Sequence, residues 1–210
     1  MSQRKRAPRG SLNPEKIVEA ALTIADREGL AALTVRKLAT AMGASPMAIY
    51  GHFANKGEIV GQLLGQVIER FEVTAHEGEG RVWVVECFRR MRIALLSHPG
   101  VIPLLGMPGS ISTESLRVME ALVYELARWA GSDGAAASAF YTMLTFTVGS
   151  VHVEQGMRHA LEGGVLDADH TLYEALSSSE GETLLRMAPV FLGQASEGPF
   201  LEALDRLCPR

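Results

Sequence analysis

The feature that most constrains the fold is the stretch from Leu33 to Asn55, LTVRKLATAMGASPMAIYGHFAN. Its pattern predicts two short helices joined by a tight turn. Thr34 suits the N-cap of the first helix, because its hydroxyl can accept from the free amides of the first turn. Gly43 can adopt the left-handed conformation that ends this helix. Ser45 and Pro46 then supply an N-cap and a proline at the first helical position of the second helix.

The second of these helices has two distinct faces. Ile49 and Phe53 are four residues apart and are expected to point inward. The residues left on the outer side are small, aromatic or mildly polar: Met47, Ala48, Tyr50, Gly51 and His52. Such a helix after a tight turn favours a DNA-reading helix-turn-helix, and the alternative is any packed helix pair with a glycine turn.

The charge is distributed unevenly along the chain. The first 60 residues hold nine Lys/Arg and five Asp/Glu, a net charge of +4, whereas the remaining 150 have a net charge of −8. A basic segment attached to an acidic one is expected when only the basic segment meets phosphates, the alternative being chance clustering.

Composition excludes several classes of protein. Two cysteines, Cys87 and Cys208, do not form a disulfide framework and indicate a cytoplasmic protein. The basic start lacks the apolar core of a secretion signal. The stretch from Ala135 to Val153 carries no formal charge, but it contains hydroxyl side chains and a histidine. It therefore predicts a buried helix of a soluble protein, with a membrane-associated protein as the alternative.

Apolar periodicity and capping signals predict an all-α chain. The first helix begins at Asn13-Pro14, and a capping box at Asn55 to Glu58 opens a long fourth helix that ends near Thr74. Further helices are expected at about 81–97, 113–130, 134–161, 172–176, 183–193 and 199–207. The predicted organisation is a disordered basic arm over 1–12, a helix-turn-helix domain over 13–60, and a ligand-binding and dimerisation domain over 61–210.

Several unusual residues at fixed spacing resemble the DNA-binding head of the TetR (tetracycline repressor) family of bacterial regulators. They lie in Asn13–Gly29, Leu33–Ala39, Gly43–Phe53 and Asn55-Lys56. The resemblance implies a three-helix head whose third helix docks in the major groove. It also implies a homodimer on a near-palindromic operator, with ligand shifting the fourth helix and lowering DNA affinity.

The C-terminal part is similar to the tetracycline-repressor branch, although more loosely. It has a long uncharged helix and two final helices after a loop. In that branch the eighth and tenth helices pair with their symmetry mates as a four-helix bundle. A helix too apolar for a monomer surface agrees with this arrangement.

The candidate DNA contacts lie in and beside the helix-turn-helix. Lys56 is expected to bind a phosphate, Arg36 to read a base, and Ala48 and Gly51 to permit close approach. The complete candidate set is Thr34, Arg36, Ser45, Met47, Ala48, Tyr50, Gly51, His52 and Lys56. The basic arm either follows the DNA or is a solvated tail.

The candidate ligand contacts are apolar residues with a few polar anchors, and ordinary core packing is the alternative for each. They are Trp83, Cys87, Phe88, Met91, Leu104, Met107, Met119, Met143, Phe146, Thr147, Ser150 and His152. For His152 the alternative is a satisfied core or interface histidine. Arg89, Arg90 and Arg92 are expected to be solvated or paired.

One departure from the tetracycline repressors bears on the effector. The positions of their magnesium-serving histidine and glutamate are Leu104 and Val153 here, which cannot coordinate a hard cation. We therefore expect no metal and no cofactor, and an effector that is a small, mostly hydrophobic molecule. We find no nucleophile elbow and no phosphate loop. The expected protein is a regulator, and the alternative is an α-helical enzyme or binding module whose basic head only docks.

Overall fold

The structure is a computed structural model that describes residues 12–70, 80–105, 107, 112–162, 186–187 and 193–209. All regular elements among these residues are helices, which confirms the all-α prediction. They are α1 (Pro14–Glu28), α2 (Val35–Ala41), α3 (Pro46–Tyr50), α4 (Lys56–Arg70), α5 (Gly80–Ser97), α6 (Thr113–Ala130), α7 (Asp133–Glu162) and α8 (Glu197–Leu207), with 3-10 segments at Leu30–Ala32 and Pro99–Leu104. The expected arm, the end of the fourth helix near Thr74, the 172–176 helix and most of the 183–193 helix lie outside the described residues.

Most helix starts follow the capping signals of the sequence. The Asn13 side chain accepts from the Lys16 amide at 2.9 Å at the start of α1. Asn55 accepts from the Glu58 amide at 3.1 Å, while the Glu58 carboxylate accepts from the Ala54 amide at 2.6 Å. The predicted capping box is therefore present, with its return bond to Ala54 rather than to the cap residue itself.

The chain divides into two compact units. The first unit comprises residues 1–78 and 93–121, and the second comprises residues 79–92 and 122–210. Helices α5 and α6 each contribute residues to both units.

In the first unit, α1 packs against α4 and against the 3-10 segment Pro99–Leu104. The approach of this segment is close, because a Cβ atom at Gly100 would lie only 2.4 Å from the carbonyl carbon of Ala25. The Asp26 carboxylate reinforces this contact by accepting from the Gly100 amide and from the His98 ring, both at 2.9 Å.

A second polar contact joins the same elements of the first unit. Arg70, at the end of α4, forms an ion pair with Glu19 of α1 and lies 3.3 Å from Nε2 of His98. A guanidinium can only donate, so Nε2 accepts and the His98 proton is on Nδ1, facing Asp26.

In the second unit, α6 buries Leu122, Glu125 and Leu126. The apolar periodicity of α6 predicts a core stripe through Leu116, Met119, Val123, Leu126 and Ala130. Leu126 is buried as predicted, but Leu116 and Met119, which lie in the part of α6 that belongs to the first unit, are 48% and 37% exposed. That part of the prediction is wrong. The charged Glu125 is buried instead, because its carboxylate accepts from the Gly80 amide at 3.0 Å, where it also faces the positive end of the α5 dipole.

Helix α7 is the longest element and contains the whole uncharged stretch of the sequence. None of the helices in the described ranges has the length and apolar character needed to cross a membrane.

Candidate DNA-binding interface and ligand-binding residues

Helices α2 and α3 form a helix-turn-helix with both N-caps as predicted. The Thr34 hydroxyl accepts from the Lys37 amide at 3.1 Å, and the Ser45 hydroxyl accepts from the Ala48 amide at 3.2 Å. Gly43 has φ +63°, the left-handed conformation that the turn requires. The two cap bonds set where α2 and α3 begin, and neither uses a side chain from the outer face of α3.

The inner face of the helix-turn-helix is buried. Leu38 and Ile49 are fully inaccessible, and Phe53 is 8% exposed. On the outer face, Met47 is 77% and Tyr50 is 47% exposed. Large side chains this exposed on a short helix form an apolar patch with no role in the fold of the head.

The structure places the predicted DNA-contact residues on the surface. All are exposed except Ala48, which is half-buried: Thr34, Arg36, Ser45, Met47, Tyr50, Gly51, His52 and Lys56. Lys37, which the prediction omits, is held in an ion pair with Glu28 of α1. Arg36, by contrast, forms no ion pair among the residues that the structure describes, so its guanidinium is available to an external acceptor.

His52 lies at the edge of a second feature of the head. It helps to line an open groove of about 570 Å³ between α1 and α4, together with Glu15, Glu58 and Glu69. Three carboxylates disfavour phosphate at this groove, so any DNA contact of His52 comes from the α3 side.

The candidate ligand residues fall in both units. Leu104, Met107 and Met119 belong to the first unit, and Leu104 is fully buried there. The other nine belong to the second unit: Trp83, Cys87, Phe88, Met91, Met143, Phe146, Thr147, Ser150 and His152. Their role in ligand binding remains a prediction.

Two aromatic contacts organise the second unit. Phe88 of α5 meets Phe140 of α7 with ring centroids 6.2 Å apart. Phe146 of α7 stacks on Phe200 of α8, with centroids 5.4 Å apart and planes 6° from parallel. Thr147 is fully buried, and its hydroxyl donates to the Met143 carbonyl at 2.8 Å, which leaves the hydroxyl oxygen free to accept.

The sequence predicts that Arg92 is solvated or paired, and the structure pairs it, but in an ion pair that is buried within the second unit. Arg92 of α5 is 4% exposed, and its guanidinium pairs with Glu154 of α7. The guanidinium carbon lies 5.1 Å from the centroid of the Phe200 ring. The sequence signal available for Arg92 is its position on the same α5 face as Phe88 and Leu95, which are both buried.

Arg89 and Arg90 of α5 form ion pairs near the surface. The sequence predicts that these arginines are either solvated or paired, and the structure shows them paired. Glu86 receives bonds from Arg89 at 2.6 Å and from Arg90 at 2.8 Å, and Arg89 also reaches Glu197 of α8. The hydrogen bond from Arg89 is the main cause that lowers the pKa of Glu86 to about 2. Burial raises the pKa of the neighbouring Cys87 thiol to about 12.

Comparison with known proteins gives two family matches that cover most of the chain. Residues 17–63 match the model of bacterial regulatory proteins of the tetR family, and residues 76–207 match the tetracyclin repressor-like C-terminal domain. The chain is 34% identical over 110 residues to the HTH-type transcriptional repressor DrrR1 of Streptomyces coeruleorubidus, covering 48% of this chain and 40% of DrrR1. It is 30% identical over 154 residues to the class A tetracycline repressor protein from transposon 1721 of Escherichia coli, covering 69% and 68% of the two chains.

Solved structures are similar over 73–96% of the chain. A possible TetR family transcriptional regulator from Streptomyces coelicolor A3(2) has a TM-score of 0.71 at 28% identity, covering 93% of this chain and 96% of that one. ActR of Streptomyces coelicolor in complex with actinorhodin gives 0.69 at 26% identity, covering 96% and 95%. BioQ with its double-stranded DNA operator gives 0.54 at 32% identity, covering 73% and 93%.

Proposed function

The chain belongs to the TetR family of bacterial regulatory proteins, and we propose that it is a homodimeric repressor that a small organic molecule releases from a near-palindromic operator. Proteins of this family are DNA-binding transcription factors and not enzymes, so the catalytic alternative falls away. The observation that carries the proposal is the capped helix-turn-helix, whose third helix leaves Met47 and Tyr50 exposed. The DNA complex of BioQ supports the operator, and the actinorhodin complex of ActR supports the effector.

In this proposal, α3 enters the major groove while two cations flank it. Arg36 donates to a base edge, and Lys56, the first residue of α4, binds a phosphate as a point charge. Because α4 packs on α1 and begins with Lys56, a displacement of α4 moves this phosphate contact. Ligand binding that displaces α4 therefore lowers operator affinity.

The two cations are distinguished by single substitutions measured in fluorescence anisotropy with operator duplexes. Lys56→Ala is expected to weaken every DNA sequence equally and to reduce the salt slope by about one unit. Arg36→Ala is expected to relax preference at one base pair of each half-site, at a cost of about 1–3 kcal/mol. Arg206→Ala removes the same charge from α8 and is the matched control, with no effect expected. An unchanged base preference in Arg36→Ala refutes its role as a reader.

The proposed homodimer is inferred from one exposed face of α7. Exposed uncharged residues recur on this face at alternating intervals of four and three, the spacing of a packed helix seam. They are Ser138, Thr142, Thr145, Gly149, His152 and Gly156. Added Cβ atoms at Gly149 and Gly156 would meet no atom within 4 Å, so this face is open within the described chain. Small residues let a second helix approach closely, and we propose that the symmetry mate of α7 covers this face.

Sedimentation velocity tests the dimer. Gly149→Arg places a charge at the middle of the proposed seam and is expected to give monomers with intact helical content. Ala127→Arg, at an exposed position of α6, is the matched control and is expected to stay dimeric. If Gly149→Arg remains a dimer, the seam is not on this face.

The proposed effector binds in the second unit without metal. Leu104 and Val153 offer no oxygen ligand, and Glu154 is already paired with Arg92 and Arg158. Any molecule that co-purifies with the protein and is identified by mass spectrometry is therefore expected to release operator equally well with and without a chelator. Release that collapses when chelator is added refutes this part of the proposal.

A cavity-narrowing substitution tests where the effector binds. Met143 is fully buried on α7, and Met143→Trp is expected to abolish release while operator affinity stays unchanged. Ala127→Trp, at an exposed position, is the control and should respond normally. A Met143→Trp protein that releases DNA at the wild-type ligand concentration contradicts the assignment.

A further inference from the structure

The Arg92 side chain is incompletely satisfied despite its burial. Its side chain is 5% exposed, and its Nε–H has no hydrogen-bond partner among the described residues. Buried N–H groups without an acceptor are rare in native proteins, and each calls for an explanation, such as a ligand that accepts from the group. An acceptor atom of a ligand at this position would give the Nε–H of Arg92 its missing hydrogen bond.

The carboxylate that pairs with Arg92 is shared with a second arginine. Glu154 accepts from Arg92 and also from Arg158 at 3.0 Å. Arg158 is 54% exposed, so solvent screens its charge, whereas the Arg92 side chain is buried and keeps a spare Nε–H donor. A spare donor on a buried guanidinium favours an anionic acceptor over a neutral one, because the charge-assisted hydrogen bond is the stronger.

The surroundings of Arg92 are aromatic on one side. Its guanidinium lies over the Phe200 ring, which in turn stacks on Phe146. An arginine that lies over an aromatic face while presenting a free donor suits a planar anion, since it combines a flat apolar contact with a charge-assisted hydrogen bond.

We propose that Arg92 is the recognition residue for an acidic oxygen of the effector, and that the effector is an aromatic molecule carrying a carboxylate or an ionised hydroxyl. The oxygen accepts from Nε–H of Arg92, and the ring system packs with the Phe146–Phe200 pair. This inference rests on the proposed ligand-responsive function and specifies the chemical class of the ligand. A purely structural Arg92–Glu154 pair would give no preference between charged and neutral ligands.

The test uses two fluorescent probes with the same rings, anthracene-9-carboxylate and 9-anthracenemethanol, titrated into the full chain at pH 7.5. Wild type is expected to bind the carboxylate at least about tenfold more tightly than the alcohol. Arg92→Met is expected to lose this preference and to keep its affinity for the alcohol. Arg158→Met removes the other, more exposed arginine from Glu154 and should keep the preference. Equal binding of both probes by wild type, no binding of the carboxylate, or a preference that survives in Arg92→Met overturns the proposal.

Two further measurements separate loss of ligand preference from unfolding, and probe binding from operator release. If Arg92→Met unfolds, the double variant Arg92→Met/Glu154→Gln removes the carboxylate charge together with the arginine and decides the same question. Operator release is recorded independently of probe binding. A protein that binds the carboxylate through Arg92 and never releases operator contradicts the proposed ligand response alone, whereas release by both probes equally contradicts the Arg92 assignment alone.

Discussion

Gly100→Ala tests the packing of the 3-10 segment on α1. An alanine Cβ would lie 2.4 Å from the carbonyl carbon and 2.6 Å from the carbonyl oxygen of Ala25, and 2.7 Å from the amide nitrogen of Asp26. All three atoms belong to the helix backbone, so no side-chain rotation relieves the overlap. Relief requires the two elements to separate, which also stretches the 2.9 Å bond from the Gly100 amide to Asp26.

Overpacking of this kind costs about 1–3 kcal/mol, and the weakened hydrogen bond adds about 1 kcal/mol. The expected destabilisation of about 2–4 kcal/mol corresponds to a fall in Tm of about 4–16 °C for a chain of this length. The measurement is thermal unfolding followed by circular dichroism at fixed protein concentration. Gly134→Ala is the matched control, because its Cβ would meet no atom within 4 Å, and its Tm is expected to be unchanged or slightly higher. A Gly100→Ala protein that melts with wild type refutes the close approach.

Three further predictions follow from named contacts. Because the pKa of Glu86 is lowered to about 2, the stabilisation from its ion pairs is complete above pH 4.5 and is lost as the pH falls through about 2. The Tm difference between wild type and Glu86→Gln should therefore be constant near neutral pH and shrink in acid, and a constant difference throughout would contradict the pairing. Cys87, with a pKa of about 12, should react with Ellman's reagent at pH 8 about a thousandfold more slowly in the native protein than in the unfolded chain, and prompt labelling would refute its burial. Asp26→Ala leaves the Gly100 amide without its acceptor and should cost about 1–3 kcal/mol in urea unfolding, so an unchanged midpoint would show that this bond contributes nothing.

Local signals in the sequence were sufficient for the DNA-binding head. Caps such as Thr34 and Ser45 act within three residues of the backbone they satisfy, so their spacing alone indicates where a helix starts. The left-handed turn residue Gly43 is recognisable for the same reason. The exposed outer face of α3 followed once its inner residues were identified.

Contacts between distant segments were not predictable in this way. The burial of Arg92 depends on Glu154 and Phe200, which lie 62 and 108 positions further along the chain, and no local pattern relates them. Glu125 is similar, because the amide that it satisfies belongs to Gly80 of another helix. Apolar periodicity gives no reason to bury a charged residue such as Glu125 or Arg92. For this reason the buried face of α6 differs from the predicted stripe, and Arg92 was not among the ligand candidates.

The central claim is that the exposed face of the helix-turn-helix reads a symmetric DNA site. Selection of binding sites from a random duplex library by the full chain tests it most directly. We expect enrichment of an inverted repeat whose half-site centres are about 34–36 Å, one DNA turn, apart. Enrichment of a single unrepeated site, or of no sequence at all, would contradict the account.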